Sequence, residues 1–301
     1  MRTKQKYDKK EELQCYLMIA IPIIGFFVFT LYPLIWAVRL SFFSYTGIPS
    51  ETQMIGIENY IKLFKDPSYW RAWGTTLQIA AIKIPIEYVL GFFIANLLSR
   101  GRKGANFFRS AFYLPAIVST AIVGFIFSNL FEYFGPVNVI LGKLGLISQN
   151  VDWFSQKGTA LVALVASEVW HSLGTMVMYF MAALATVPLE LYESADIEGA
   201  SSVTKFFKIT LPMIAPILQI VLMLSIISML GINESILVMT NGAPAGTTHS
   251  VMSYITSRVV PGFGIVSNLG YSSAMCVVTS VIVCIIALLY NMFSRKMKNL
   301  Y

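Results

Sequence analysis

The sequence predicts an all-α integral membrane protein with six transmembrane helices and both termini in the cytoplasm. Three observations carry that prediction. Of 301 residues, 56% are hydrophobic and only 12% charged, with a mean hydropathy of +0.68, far too little charge for an ordinary soluble domain. Six apolar segments each approach or exceed the roughly 20 residues that carry a helix across about 30 Å of hydrocarbon. The lysines and arginines are distributed unevenly among the loops, which sets an orientation.

The predicted spans are Cys15 to Leu40, Ala72 to Ser99, Ser110 to Phe134, Thr159 to Ala185, Ile209 to Glu234 and Tyr271 to Ser294. They form one membrane domain over residues 15–294, with cytoplasmic tails at 1–14 and 295–301. The first span follows a basic stretch, as a secretory signal would, but its uncharged run is about twice the usual 7 to 15 residues and ends in no small-x-small cleavage site. Pro22, Pro33, Pro85 and Pro115 each remove an intrahelical hydrogen bond and are expected to kink spans or mark their ends. Gly135-Pro136 and Pro261-Gly262-Phe263-Gly264 read as outer turns, the second beside a short surface helix from His249 to Val259.

With the N-terminus inside, the inner segments hold 14 of the 22 basic residues: Arg2, Lys4, Lys6, Lys9 and Lys10; Arg100, Arg102, Lys103 and Arg109; Lys205 and Lys208; Arg295, Lys296 and Lys298. The longer outer loops hold Lys62, Lys65, Arg71, Lys143, Lys157 and Arg258. Trp36, Trp70, Trp73, Trp153 and Trp170 then all fall at or near the outer face, where an amphipathic ring is comfortable. The net charge of +7 thereby reports membrane orientation, and no nucleic-acid partner is expected. Cys15, Cys276 and Cys284 lie in apolar segments and read as inert thiols. No G-x-x-x-x-G-K-[ST] phosphate loop occurs, so the chain has no cradle for nucleotide phosphates. His171 and His249 are too isolated for a metal or triad site. No chemistry on a substrate and no metal are expected.

One inner loop departs from its surroundings. In residues 186–212, Glu190, Glu193, Asp196 and Glu198 outnumber Lys205 and Lys208, and acidic residues contribute little to orientation. Pro188 suits the first turn of a helix. Gly199 can supply the turn after it, and Ser201 or Ser202 can cap a second short helix. A helix, a glycine corner and a second helix are predicted. Tyr192, Ile197, Phe206 and Phe207 among the acids suggest a protein-docking surface; a solvated helix pair is the plainer alternative.

The run Glu193-Ser194-Ala195-Asp196-Ile197-Glu198-Gly199-Ala200, followed by Ile209-Thr210-Leu211-Pro212, resembles the EAA loop of membrane subunits of binding-protein-dependent ABC importers. Ser194 replaces the usual first alanine, and Glu198 stands where aspartate is common. Tyr32-Pro33-Leu34, Gly56-Ile57-Glu58-Asn59-Tyr60, Asn241-Gly242-Ala243-Pro244 and Leu269-Gly270-Tyr271-Ser272-Ser273-Ala274 are similar to maltose-type sugar permeases, which usually show Gly-Gly-Pro at the third of these runs. The resemblance implies a type I ABC importer permease fold in a bacterial cytoplasmic membrane. It implies a carbohydrate solute, in particular an oligosaccharide, and four kinds of company: a second related permease, two ATPase subunits that carry the ATP and Mg, an extracellular solute-binding protein, and membrane lipid. It also implies that Glu190, Glu193, Ser194, Ala195, Gly199, Phe206, Leu211 and Pro212 couple the spans to the ATPase, with the Leu211-Pro212 corner tying the loop to the fifth span. Glycerol phosphate or another small solute stays open as cargo, and a secondary transporter or channel as a class.

Solute-path candidates follow from the polar residues inside the spans, which are costly there and usually face a partner or a wet cavity. Lys83 and Glu87, four apart, can meet on one helical face, either as a structural pair or as a solute contact. Glu168 and His171 also share a face beside Trp170, which reads either as an aromatic platform for a sugar ring or as interfacial belt. Asn233 and Glu234 are candidates because family permeases place solute contacts there, with Gly231 allowing a bend or a close approach.

Overall fold

The computed structural model describes residues 9–48, 50, 52–99, 104–259 and 268–298. Arg2, Lys4, Lys6, Arg100, Arg102, Lys103, the predicted turn at Pro261 to Gly264 and the ends of both predicted tails lie outside the described residues. The chain divides into two compact units, Met1–Lys65 with Val266–Thr279, and Asp66–Ile265 with Ser280–Tyr301.

In the first unit, α1 (Lys9–Phe26), a π-helical turn (Phe27–Leu31) and α2 (Tyr32–Leu40) run on without interruption. The π turn immediately precedes Tyr32-Pro33. A proline has no N–H for its i−4 carbonyl and crowds it, and widening the ladder to an i−5 bond, Tyr32 N–H to Phe27 O, accommodates it. A two-residue antiparallel ladder follows, β1 (Phe43–Ser44) with β2 (Gln53–Met54), then α3 (Glu58–Phe64). Buried Asn59 donates to Ser41 O at 2.9 Å and Phe43 O at 3.0 Å, and the Ser41 and Tyr60 hydroxyls lie 2.6 Å apart. The first turn of the last helix joins this unit where a Cβ on Gly270 would stand 1.9 Å from Phe43 O, so only glycine fits there.

The second unit is helical. It contains α4 (Pro67–Ser99), α5 (Ala105–Ile117), α6 (Thr120–Leu130), α7 (Pro136–Lys143), α8 (Lys157–Leu184), α9 (Leu189–Ile197), α10 (Ser202–Lys205), a second π turn (Phe206–Thr210), α11 (Leu211–Leu230), α12 (Glu234–Met239), α13 (Val251–Val259) and the part of α14 (Leu269–Lys298) beyond Thr279. Its core forms where α4 and α8 pack. One apolar cluster gathers Ile79, Leu164, Val165, Met229 and Ile236; a second gathers Ala95, Met176, Val177, Phe180 and Val221. Helix α5 approaches α8 so closely that a Cβ on Gly174 would fall 2.0 Å from Phe112 O.

Among the described residues, five helices are long and apolar enough to cross a membrane, or six if the pair α5 and α6 counts as one span. That pair is the expected third span, Ser110 to Phe134, and its halves meet at 96°, at the end that Pro115 was expected to mark. Pro115 lies in the last turn of α5, and Val118 and Ser119 both take extended backbone, which turns the chain before α6 begins. The predicted fifth span to Glu234 stops at Leu230, and residues 231–233 separate it from α12. At its other end α10, the π turn and α11 form one helix, Ser202–Leu230. The expected Leu211-Pro212 corner is therefore absent. Pro212 again follows a π turn, closed by Leu211 N–H to Phe206 O, so the helix absorbs the proline instead of breaking.

The predicted surface helix after His249 is also corrected. Val251, Ser253, Tyr254, Ile255 and Ser257 of α13 are buried. Val251 N–H donates to Thr76 Oγ1 on α4 at 3.0 Å, and Thr75 Oγ1 donates to Thr247 O at 3.0 Å. Asn241, Gly242, Ala245 and Gly246 hold positive φ in the loop before it. Ala243 does not, which accounts for a side chain at that place.

Candidate functional site

Two features stand out in the second unit, a polar cavity and a helical corner. In the cavity, Lys83 on α4 is the centre of a buried charge cluster, 3.4 Å from Glu87 Oε1 on its own helix and 3.3 Å from Glu168 Oε2 on α8. The first contact is the expected i,i+4 pair. The second joins residues far apart in sequence and removes Glu168 from the expected platform with Trp170. Ser235 on α12 donates to Glu168 Oε1 at 2.6 Å, and Ser172 donates to Glu87 Oε1 and to Glu168 O. Glu168 thus ties α4, α8 and α12 together. Lys83, Glu87 and Glu168 are 4%, 3% and 7% exposed, and charges so buried persist only when paired and hydrogen-bonded.

Against this cluster lies a cavity of about 450 Å³, lined by Lys83, Glu168, His171, Gly231, Asn233 and Glu234 among others. The structure therefore brings together most of the residues predicted for the solute path. Glu87 lies behind Lys83, in a smaller recess with Tyr179 and Ser225. Trp170 lies outside the lining, 42% exposed and packed on Phe127 with ring centres 5.6 Å apart. His171 Nε2 is 3.1 Å from Val118 O, at the break between α5 and α6. Asn233 Oδ1 is buried with no hydrogen-bond partner. Thr120, Ser172, Thr175, Ser228 and Ser235 complete the polar lining and were not anticipated. The spacing of four between Glu168 and Ser172 was their one legible signal.

The helical corner is built as its residues require. Pro188 precedes α9, and the helix ends in a Schellman motif: Ala200 N–H reaches Ala195 O at 2.9 Å, and Gly199 N–H reaches Asp196 O at 3.0 Å. Gly199 carries the left-handed φ of +74° that this motif needs. Ser201, the first of the two candidate caps, accepts from Thr204 N–H at 3.2 Å. Lys205 pairs with Asp196 across the corner. Tyr192 OH lies 2.7 Å from Thr210 Oγ1, and the Phe206 ring packs on Phe92 of α4 with centres 5.1 Å apart. Ala195 is buried, while Glu190, Glu193, Ser194, Glu198 and Ile197 face outward. Leu211 and Pro212 open α11, inside the continuous helix.

The family of binding-protein-dependent transport system inner membrane components matches residues 87–299. The chain belongs to that family. As such it is a multi-pass membrane protein and a translocation subunit that catalyses no reaction itself. The transport component is similar to the arabinooligosaccharides transport system permease protein of Bacillus subtilis, 32% identical over 291 residues that cover 94% of this chain and 89% of that one. It is also similar to the trehalose/maltose transport system permease protein of Thermococcus litoralis, 28% identical and covering 98% and 97% of the two chains. The same fold occurs in a bacterial ABC transporter involved in the import of the acidic polysaccharide alginate, with a TM-score of 0.82, 24% identity and coverage of 95% and 96%. That likeness places the chain in the type I ABC importer permease fold.

Proposed function

We propose that this chain passes a carbohydrate, in particular an oligosaccharide, from an extracellular solute-binding protein to the cytoplasm by alternating access, in a bacterial cytoplasmic membrane. ATP and Mg are bound and turned over on two separate ATPase subunits, and a second related permease completes the path. The observation that carries the proposal is the continuity of one helix. Ser202–Leu230 is a rod of 29 residues, about 43 Å long at about 1.5 Å per residue. The corner that would dock on an ATPase lies at one end, and Gly231, Asn233 and Glu234 of the cavity at the other. Helix α9 presents Glu190, Glu193 and Ser194 to the ATPase, while Gly199 sets its angle to the rod, and Phe206 anchors the rod's base on α4. Movement of the docked corner tilts the rod and opens or closes the cavity. Reversing a population from 1:99 to 99:1 takes about 5.5 kcal/mol of differential binding, which ATP-driven closure of the partners supplies. Carbohydrate cargo is supported by the arabinooligosaccharide and trehalose/maltose systems of the two relatives and by a cavity lined with hydroxyl, amide and carboxylate groups.

The test is to replace Glu193 by Ala in the complete importer and to measure uptake and ATP hydrolysis together in liposomes. The expected outcome is a membrane-inserted complex whose solute-stimulated hydrolysis and uptake both fall at least tenfold. Full uptake by Glu193→Ala would remove this helix from the coupling path.

A further inference from the structure

We infer that the cavity favours uncharged carbohydrate over carbohydrate bearing a carboxylate, sulfonate or phosphate, with Glu234 as the specificity-determining residue. The inference rests on the carbohydrate path proposed above. The fold itself leaves cargo charge undecided, since it is shared with a transporter of an acidic polysaccharide; the lining decides it. Lys83 is the only lysine or arginine among the described residues that line the cavity. It is 4% exposed, with Glu87 and Glu168 at 3.4 and 3.3 Å, so its ammonium is already matched by two carboxylates and has little left for an incoming anion. Glu234, by contrast, is exposed toward the same cavity and makes no ion pair or side-chain hydrogen bond among the described residues. Lys83 is taken up by Glu87 and Glu168, so the Glu234 carboxylate adds negative charge that no lysine or arginine among the described lining residues offsets.

The hydrogen-bond inventory points the same way. Among the described lining residues, the one buried side-chain atom without a hydrogen-bond partner is an acceptor, Asn233 Oδ1, and the adjacent Glu234 carboxylate also accepts only. Sugar hydroxyls donate to such groups, whereas a carboxylate, sulfonate or phosphate oxygen only accepts. An anionic group placed here meets the like charge of Glu234 and, where it faces Asn233 Oδ1, leaves that acceptor unpaired; both cost affinity.

Charge in the cavity can be read without knowing the cargo. Ser228 lines the cavity and its side chain is exposed, so Ser228→Cys, in a chain whose three native cysteines are replaced by Ala, places one thiol there. In the complete importer, that thiol is reacted with a cationic trimethylammonium-ethyl and an anionic sulfonato-ethyl methanethiosulfonate. The cation-to-anion rate ratio, divided by the same ratio for free 2-mercaptoethanol, is expected to be at least 10 and to fall at least threefold when Glu234→Gln is added. A normalised ratio near 1 in the Glu234 chain overturns the inference, as does a ratio that Glu234→Gln leaves unchanged. A parallel arm needs no substitution: uptake of a neutral oligosaccharide and of its terminally oxidised carboxylate form is compared per loaded binding protein, and equal uptake also overturns the inference. Reagent discrimination with no carbohydrate of either charge translocated overturns the carbohydrate path itself, a result that equal reagent rates would not produce.

Discussion

Lys83→Met isolates what the buried cluster does. At an effective dielectric of about 20, a contact near 3.4 Å corresponds to roughly 5 kcal/mol of Coulomb attraction. Most of this is offset by the several kcal/mol per ion lost on leaving water. Removing the cation alone leaves Glu87 and Glu168 buried without it, and losing one partner of a buried pair costs about 3–5 kcal/mol. The lower end of that range, about 3 kcal/mol, is expected, roughly a hundredfold in the folded-to-unfolded ratio. At roughly 2–4 °C per kcal/mol for a domain of this size, the midpoint should fall by about 6–12 °C. The assay is thermal denaturation of the detergent-solubilised complex, followed by the monodisperse peak in size exclusion. Adding Glu87→Gln and Glu168→Gln to Lys83→Met removes the orphaned charges while keeping their shape, and should recover at least half of the lost stability. A midpoint within 1 °C for Lys83→Met, or a triple variant no better than the single, would refute the account of Lys83 as the cation those carboxylates require.

Two further outcomes are expected. Gly174→Ala places a methyl 2.0 Å from Phe112 O, so α5 must separate from α8; overpacking of this kind costs about 1–3 kcal/mol or more, and the yield of monodisperse protein should fall, whereas Gly142→Ala, with open space around it, should not change it. Burial, reinforced by the Arg258 cation, holds His249 below the usual imidazole pKa. The unfolded chain therefore takes up the proton first as pH falls, and the stability tied to a neutral His249 is present above about pH 6.5 and lost below it. Melting at pH 5.5 and 7.5 should show that loss, and His249→Gln should show less of it; an identical pH dependence in the variant would assign the titration to another group.

Local features were readable from the residues alone. The i,i+4 pair of Lys83 and Glu87 forms as its spacing requires, and Gly199 takes the left-handed position its place after an acidic helix suggested. Asn233 and Glu234 were named from resemblance and do line a cavity. Features that depend on distant partners were not readable. Nothing near Glu168 in the chain points to Lys83 or Ser235, and Trp170, adjacent in number to His171, projects away from the cavity that His171 lines. The surface helix expected after His249 is buried because Thr75 and Thr76 of α4 bond its segment, a contact between residues more than 170 apart.

The sequence by itself determined the membrane class, the acidic corner between two spans and the lack of a G-x-x-x-x-G-K-[ST] motif, because apolar length, charge bias and glycine placement are properties of contiguous residues. Only the tertiary structure decided that Pro212 sits inside an unbroken helix, that the third apolar segment turns by 96° at Val118 and Ser119, and that one lysine is held between carboxylates from two helices. A proline can break, bend or be absorbed by a helix with the same local letters, and a buried charge finds its partner through packing. In both cases the outcome is set by groups brought close in space from distant parts of the chain.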